Sequence, residues 1–388
     1  VVWREPTIYL LMAIGMTAPL DQNVVGPALP TIARTFGLSD AGAGLLITTF
    51  AIPGIVTAPV IGRLADRFGR RPVVVPCLTV YGLAGVAVLG VQSFPVVILL
   101  RFVQGTVGGS ILASLALTLV GDGYEGVARN TAMGMTSAAI IVAAALAPAI
   151  GGALVSFAWN APFAVYSIPV LVAGAAYLRL AEPVRTDRRS ERGIAYLRAA
   201  IQAIPTRAAV GLYGATFASF VLFFGGVLTA VSFLLSESYG LGAGAIGSLI
   251  TAAMLVSALV AVLNGRFVRV VPETQLVAGG FIAYGIGFVG TGAAGSAAGV
   301  LVALACFGLG HGLVLPSVAT ALAGLAPTRY RGGVMSLRTS LVLASQAVGP
   351  PAFTVPAAVI GYGSTLWGAG ALAGTFGLAA LYWTVRSG

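Results

Sequence analysis

Apolar residues along this chain come in long, nearly unbroken runs separated by short polar or Pro/Gly clusters. Divided at those clusters, the sequence leaves twelve apolar segments, roughly 8–30, 42–61, 72–92, 95–120, 131–157, 161–180, 208–236, 243–264, 274–293, 297–325, 333–358 and 363–385. Each holds about twenty residues or more, and at 1.5 Å rise per residue that covers the ~30 Å hydrocarbon layer of a bilayer. The pattern predicts an all-α integral membrane protein with twelve transmembrane helices. The first run is too long for a cleaved signal, carries Asp21 and lacks a basic leader, so it reads as a span.

The runs repeat. FGLSDAGAGLLIT (36–48) and YGLGAGAIGSLIT (239–251) share Gly37/Gly240, Leu38/Leu241, Gly44/Gly247, Leu46/Leu249, Ile47/Ile250 and Thr48/Thr251, all 203 apart. RNTAMGMTSAAIIVAAALAP (129–148) matches RGGVMSLRTSLVLASQAVGP (331–350) at an offset of 202. A near-constant offset over this distance predicts two six-helix halves in parallel repeat, 1–181 and 208–388. The polar stretch between them, 182–207, places Ile194, Leu197, Ile201 and Ile204 at helical spacing beside Arg192 and Arg198. That pattern suits either a helix lying on the inner membrane surface or a plain linker.

Composition agrees. Residues from AVILMFWYC make up 58% of the chain and charged residues 8%, far below the roughly one quarter of a soluble domain. The formal charge of +10 comes from 21 arginines with no lysine. With a cytoplasmic N-terminus, 18 of the 21 arginines fall in inner segments; Arg34 falls outside, and Arg101 and Arg338 fall within spans. This is the positive-inside bias, so the chain is expected in the cell (inner) membrane, multi-pass, with both termini cytoplasmic. The charge sets topology and needs no nucleic-acid partner. Cys77 and Cys306 lie mid-span without metal or disulfide spacing, so no metal or other cofactor is expected.

Charge concentrates in GRLADRFGRR (62–71), which resembles the loop 2–3 signature G-x-x-x-D-R-x-G-R-R of the major facilitator superfamily. LLRFVQGTVGG (99–109) is similar to that superfamily's R-x-x-Q-G pattern, and LDQNVVGPALPTI (20–32) to the D-x-x-x-V-x-x-A-L-P element of its drug:proton antiporters. Gly134, Ala143, Ala147, Pro148, Gly151 and Gly152 resemble the exporter signature G-x8-G-x3-G-P-x2-G-G, two glycines being replaced by alanine. The resemblance covers the whole chain and implies the 12-helix drug:proton antiporter branch. It implies that Gly62, Asp66, Arg67, Gly69, Arg70 and Arg71 form a conformational latch, with Gly62 and Gly69 allowing the tight backbone and Asp122 as partner for Arg70. It also implies that Gly134, Pro148, Gly151 and Gly152, with Gly349 and Pro350 in the second half, kink their helices or allow close packing.

Four ionisable groups lie clearly within spans: Asp21, Arg101, His311 and Arg338. A charge at bilayer depth costs roughly 2.5–3.5 kcal/mol even on the mildest scale, so each needs a reason. Asp21 lies about 13 Å below the outer end of segment 1 and Arg101 about 10 Å deep in segment 4 from the same side. In the resembling fold both segments line the central cavity, as Gln104 would. A carboxyl pulled one way by desolvation and the other by a cation suits uptake and release of a coupling proton; a fixed Asp21–Arg101 ion pair is the other reading. His311 is either a third member of the proton path or a packing residue. Arg338 either snorkels inward or binds an anionic group, so an anionic or zwitterionic substrate stays open. Phe217, Phe220 and Phe224 share a face at α-helical spacing and are expected to line a substrate cavity or meet lipid.

The leading expectation is a monomeric, proton-coupled antiporter that exports a small, drug-like molecule by alternating access, driven by the proton gradient. A symporter importing a sugar or carboxylate is the alternative within transport; a non-transporting receptor or a membrane enzyme is the alternative outside it. No G-x4-G-K-[ST] occurs, which argues against a nucleotide-driven pump, and one histidine leaves little for acid–base catalysis.

Overall fold

The structure, a computed structural model, describes residues 2–180, 206–327 and 330–386. The expected interfacial helix over 182–207, with Ile194, Leu197, Ile201 and Ile204, lies almost wholly outside the described residues. All regular structure among the described residues is helical. Ten helical runs among them are long and apolar enough to cross a membrane, and a bent pair, Pro6–Met16 with Leu20–Phe36, makes an eleventh. The last of the ten, Gly333–Thr384, is 52 residues long. It turns at Gly361, where φ 78 and ψ 160 leave helical geometry. Division there gives twelve crossings.

By contacts the chain forms two compact units, Val1–Asp187 with Gly242–Ser248, and Arg188–Leu241 with Leu249–Gly388. In the first unit the opening span is three pieces: α1 (Pro6–Met16), α2 (Leu20–Asn23) and α3 (Leu29–Phe36). Pro19 and Pro27 lack the N–H groups a continuous helix would need, so the ladder fails around each. The two main pieces meet at 47°. Next come α4 (Asp40–Phe68) and α5 (Arg71–Ala87), joined by the short turn at Gly69. The fourth span is also broken, into α6 (Phe94–Val107) and α7 (Ser110–Gly123). The break falls at Gly109, where φ 57 disfavours any side chain. The unit closes with α8 (Gly126–Val155), which runs unbroken through Pro148, and α9 (Ser167–Arg179). Packing pairs α4 with α6, α5 with α9, and α1 with α8.

The second unit begins with α10 (Thr206–Val221), which widens into a π-helix over Leu222–Ala230 before α11 (Val231–Ser238). Thr229 donates its hydroxyl to the Phe224 carbonyl five residues back at 2.8 Å, matching the wider turn. Every residue from Leu222 to Ser236 is buried. This is the expected place for a stretch apolar on all sides. The unit also holds α12 (Ala243–Phe267) from Leu249 onward, its first residues to Ser248 belonging to the first unit, and α13 (Glu273–Ala293), α14 (Ala297–Leu325) and α15 (Arg331–Arg386, turning at Gly361), with α13 packed on both α14 and α15.

Candidate functional site

The break in the first span leaves carbonyl oxygens without intrahelical partners, and at bilayer depth each must find a donor. The Tyr81 hydroxyl donates to Thr17 O at 3.3 Å, and the Asn23 amide to Pro19 O at 3.0 Å. Tyr166, in the 3-10 turn Ala161–Tyr166, donates to Asp21 O at 3.1 Å. The main donor is Arg101, whose side chain is fully buried. Its Nη2 donates to Asp21 O at 2.8 Å and its Nε to Leu46 O at 3.2 Å. Its Nη1 donates to Gln104 Oε1 at 2.9 Å and to the Tyr166 hydroxyl at 3.0 Å. The guanidinium also lies over the Phe50 ring, 4.6 Å from its centroid. All four of these acceptors are neutral. Arg101 thereby fixes the broken segment to α4 and α6 through main-chain and side-chain oxygens, a backbone-supporting task that its position in the sequence did not suggest.

The R-x-x-Q-G pattern acquires a geometry. Gln104 accepts from Arg101 and donates its amide to Tyr81 O at 3.1 Å. A Cβ on Gly105 would stand 1.9 Å from Phe50 O, so the helix pair α4/α6 closes only on glycine. A Cβ on Gly109 would stand 2.7 Å from Asp21 Oδ2. Asp21 is 8% exposed, and its Oδ1 accepts from the Gln22 main-chain N–H at 2.7 Å. The carboxyl thus sits at the break itself, between the Gln22 N–H of α2 and Gly109, the residue that separates α6 from α7.

Sequence reasoning missed Gln22. Its side chain is fully buried, and both amide atoms lack a hydrogen-bond partner among the described residues. The Asn23 Oδ1 and Thr136 Oγ1 atoms share that condition. Three successive polar residues, Asp21-Gln22-Asn23, inside an apolar run were the available signal.

In the second unit His311 sits in an aromatic box. The Tyr284 hydroxyl and His311 Nδ1 are 2.9 Å apart. Phe223 and Phe307 stack against the imidazole at 5.1 and 5.6 Å between centroids, and Phe220 meets it edge-on at 6.1 Å. Phe220 and Phe224 stack on each other at 5.7 Å. Phe220 and Phe224 keep a common face across Val221, and the π-helix, which advances fewer degrees per residue, brings Phe223 to the imidazole as well. Phe217 is half-buried, and its carbonyl accepts from Ser345 at 3.0 Å. Arg338 is half-buried, and its Nε is buried without a hydrogen-bond partner among the described residues.

At the 62–71 stretch Arg70 is shared by two acids: Nη1 lies 2.7 Å from Asp66 Oδ1, and Nε 3.1 Å from Asp122 Oδ2. Arg71 donates to Tyr177 O, and Arg67 lies over the Phe68 ring at 5.2 Å. The role expected of Gly62 is corrected. It lies inside α4 with open space where a Cβ would be, and the turn is made at Gly69 alone, with φ 106. Gly134 likewise has nothing within 4 Å of where a methyl would stand, so its helix makes no close approach there. The close approaches belong to Gly151, whose Cβ would stand 2.0 Å from Val24 O, and to Gly152, 2.2 Å from Ala243 O. In the second unit a Cβ on Gly349, followed by Pro350 within α15, would meet Gly225 N at 2.9 Å.

Comparison with known proteins agrees with this architecture. The profile described as Major Facilitator Superfamily matches residues 11–234 and 212–388. The chain is 24% identical over 357 residues to the bacillibactin exporter of Bacillus subtilis, a match covering 89% of this chain and 88% of that protein. It is 26% identical over 349 residues to multidrug resistance protein 1 of the same organism, covering 87% of each. Among solved structures it is similar to a bacterial homologue of the human lysosomal transporter Spinster in an inward-facing, unoccupied conformation. That likeness has a TM-score of 0.79 at 20% identity, over 98% of this chain and 96% of that one, and speaks to the fold alone.

Proposed function

Since the chain belongs to the major facilitator superfamily, and is thereby a multi-pass membrane transporter rather than an enzyme, we propose that it is a proton-coupled antiporter exporting a small, drug-like molecule. It works by alternating access in the cell membrane, as a monomer with both termini cytoplasmic. Export is supported by relatives that are themselves named as exporters and multidrug resistance proteins over nearly their whole length. The observation that carries the proton reading is the position of Asp21, a carboxyl held at an interruption of its own helix and pressed against Gly109.

A carboxyl in an unbroken, lipid-facing helix has no use for its charge. At the break, Arg101 directs its hydrogen bonds to neutral oxygens, the main-chain oxygen of Asp21 among them, while the carboxyl accepts from the Gln22 N–H beside Gly109. On this reading Asp21 takes a proton from the outer side, gives it up to the inner side, and cargo moves outward in exchange. Arg101, Gln104, Tyr81 and Tyr166 hold the break open around it. His311, bonded to Tyr284 and stacked between rings, is a packing and cavity residue in this scheme.

The test is Asp21→Asn in inverted membrane vesicles supplied with a proton gradient and offered a cationic, a neutral and an anionic aromatic compound. Gradient-driven accumulation should vanish while the purified variant still folds. Proton-driven accumulation that survives in the well-folded variant would overturn the assignment.

A further inference from the structure

Two neighbouring helices of the second unit lose their regular hydrogen bonding at the same level. Between α10 and α11 the ladder widens over Leu222–Ala230, where the Val231 N–H reaches back five residues to Gly226 O. The Thr229 hydroxyl donates to Phe224 O, also five residues back, at 2.8 Å. π-Helix is mostly confined to single turns, and this one runs nine residues. In α15, Pro350 and Pro351 follow Gly349 and take two successive N–H donors out of the ladder. The two irregular stretches touch. A Cβ on Gly225 would stand 2.2 Å from Gly349 O, and one on Gly349 would stand 2.9 Å from Gly225 N. The two glycines let backbone meet backbone, as close a pivot as two helices can share.

Each arm is fastened on its own side of that contact. Before it, Tyr213 donates to Val334 O at 3.2 Å and Ser345 to Phe217 O at 3.0 Å, tying α10 to the first part of α15. After it, Phe233 of α11 stacks on Tyr362 of α15 at 5.6 Å between centroids. The joint itself carries the box around His311. Phe223, inside the π-helix, stacks on the imidazole at 5.1 Å. A Cβ on Gly226 would stand 2.4 Å from the Phe288 ring, which packs on Phe307 at 5.1 Å. Phe307 stacks on the imidazole in turn, at 5.6 Å.

We propose that residues 222–230 and 349–351 form one paired hinge, whose π-helix exchanges five-residue bonds for four-residue bonds as the arms swing. Every residue of the π-helix is buried, so its peptide groups cannot turn to water and must keep protein partners throughout. Exchange of one carbonyl for its neighbour meets that condition, and simple opening does not. The exchange takes up about one residue of register and rotates α10 against α11 while both stay helical. Phe220, on α10, and Phe223 then shift across the imidazole, which links the swing to the aromatic box. The hinge rests on the exporter reading only for what the swing serves, the change of access. The movement itself needs neither cargo nor proton gradient.

Hydrogen–deuterium exchange of the purified whole chain in phosphatidylcholine nanodiscs, read by mass spectrometry, tests the hinge. Amides of 222–230 should exchange about tenfold faster than those of 231–236, which are buried alike, because each change of partner leaves an N–H briefly unbonded. Equal protection of the two stretches overturns the proposal. Deletion of Gly226 shortens the five-residue bonds that span it to four and fixes the α form. That variant should bring 222–230 to the protection of 231–236. It should also lose about tenfold in vesicle accumulation of whichever aromatic compound the unmodified chain exports, with its affinity for that compound unchanged. Full accumulation by the folded deletion variant overturns the hinge as well. If the deletion does not fold, Thr229→Val, which drops the bond to Phe224 O, should slow accumulation, and Thr229→Ser should restore it. Equal rates in those two variants count against the hinge, and the exchange pattern of the unmodified chain decides on its own. Asp21→Asn should leave that pattern as it is, so failure of the hinge and failure of the proton assignment are read separately.

Discussion

Arg101 donates to Asp21 through the main-chain oxygen of that residue, at 2.8 Å. The bond divides the labour between two charged residues that lie at similar depth. Arg101 supports the backbone of the broken span, and the Asp21 carboxyl stands at the break that Arg101 secures.

Loss of Arg101 should therefore be a folding lesion. Arg101→Met strips a donor from Leu46 O, Gln104 Oε1, the Tyr166 hydroxyl and Asp21 O together. The expected cost is about 3–5 kcal/mol. Arg101→Lys should fall in the same direction, since a compact ammonium cannot span acceptors arranged around a planar fork. The monodisperse fraction by size exclusion and the thermal midpoint in detergent measure it; a normal midpoint for both variants would contradict the assignment.

Gln22 should show the opposite sign. An amide buried with neither atom paired costs stability, and Gln22→Met should recover about 1–3 kcal/mol of it. Export by the same variant should fall, because a polar group kept at such cost in the broken span serves the cargo or its water. Thermal midpoint and vesicle transport are read on one preparation. A stabilised variant with full transport would deny Gln22 that role.

Two glycine substitutions in the same unit should separate cleanly. Gly105→Ala puts a methyl 1.9 Å from Phe50 O, a contact with backbone that cannot relax cheaply, and should abolish the folded fraction. Gly134→Ala meets nothing within 4 Å and lies in a helix, so it should be neutral or stabilising by up to about 1 kcal/mol. Expression and midpoint of the pair check both.

The 62–71 stretch should matter for rate more than for stability. The Arg70–Asp66 contact at 2.7 Å is partly exposed, and such pairs contribute about 0–1 kcal/mol. Asp66→Asn should accordingly fold with a near-normal midpoint and bind substrate, yet transport several-fold more slowly if the loop is a latch. Unchanged transport by the folded variant would remove the latch.

Much of this is legible from local pattern. The pairing of Arg70 with Asp122 follows from one motif and one acid at the end of the next-but-one span. The break near Asp21 is not part of that reading, which takes 8–30 as one span; the structure places it beside Pro19 and Pro27. Gly62 is misplaced by local reading because a glycine before a charged loop looks the same whether the helix has ended or not; helical hydrogen bonding carries α4 on to Phe68. Phe223 escapes such a reading because a π-helix has no reliable spelling; of the three phenylalanines at α-helical spacing, Phe220 meets the imidazole and stacks on Phe224.

By itself the sequence determined the all-helical, membrane-spanning architecture and the family, because the transfer of about twenty apolar residues into lipid is settled within each run, without reference to any other. Tertiary structure alone decided where the buried guanidinium of Arg101 spends its donors. It finds acceptors 55, 65 and 80 residues away, in α4, the 3-10 turn before α9, and the broken first span. Hydrogen bonds in hydrocarbon must be satisfied by whatever donors the packing brings near, and that proximity is a property of the folded bundle that no local pattern contains.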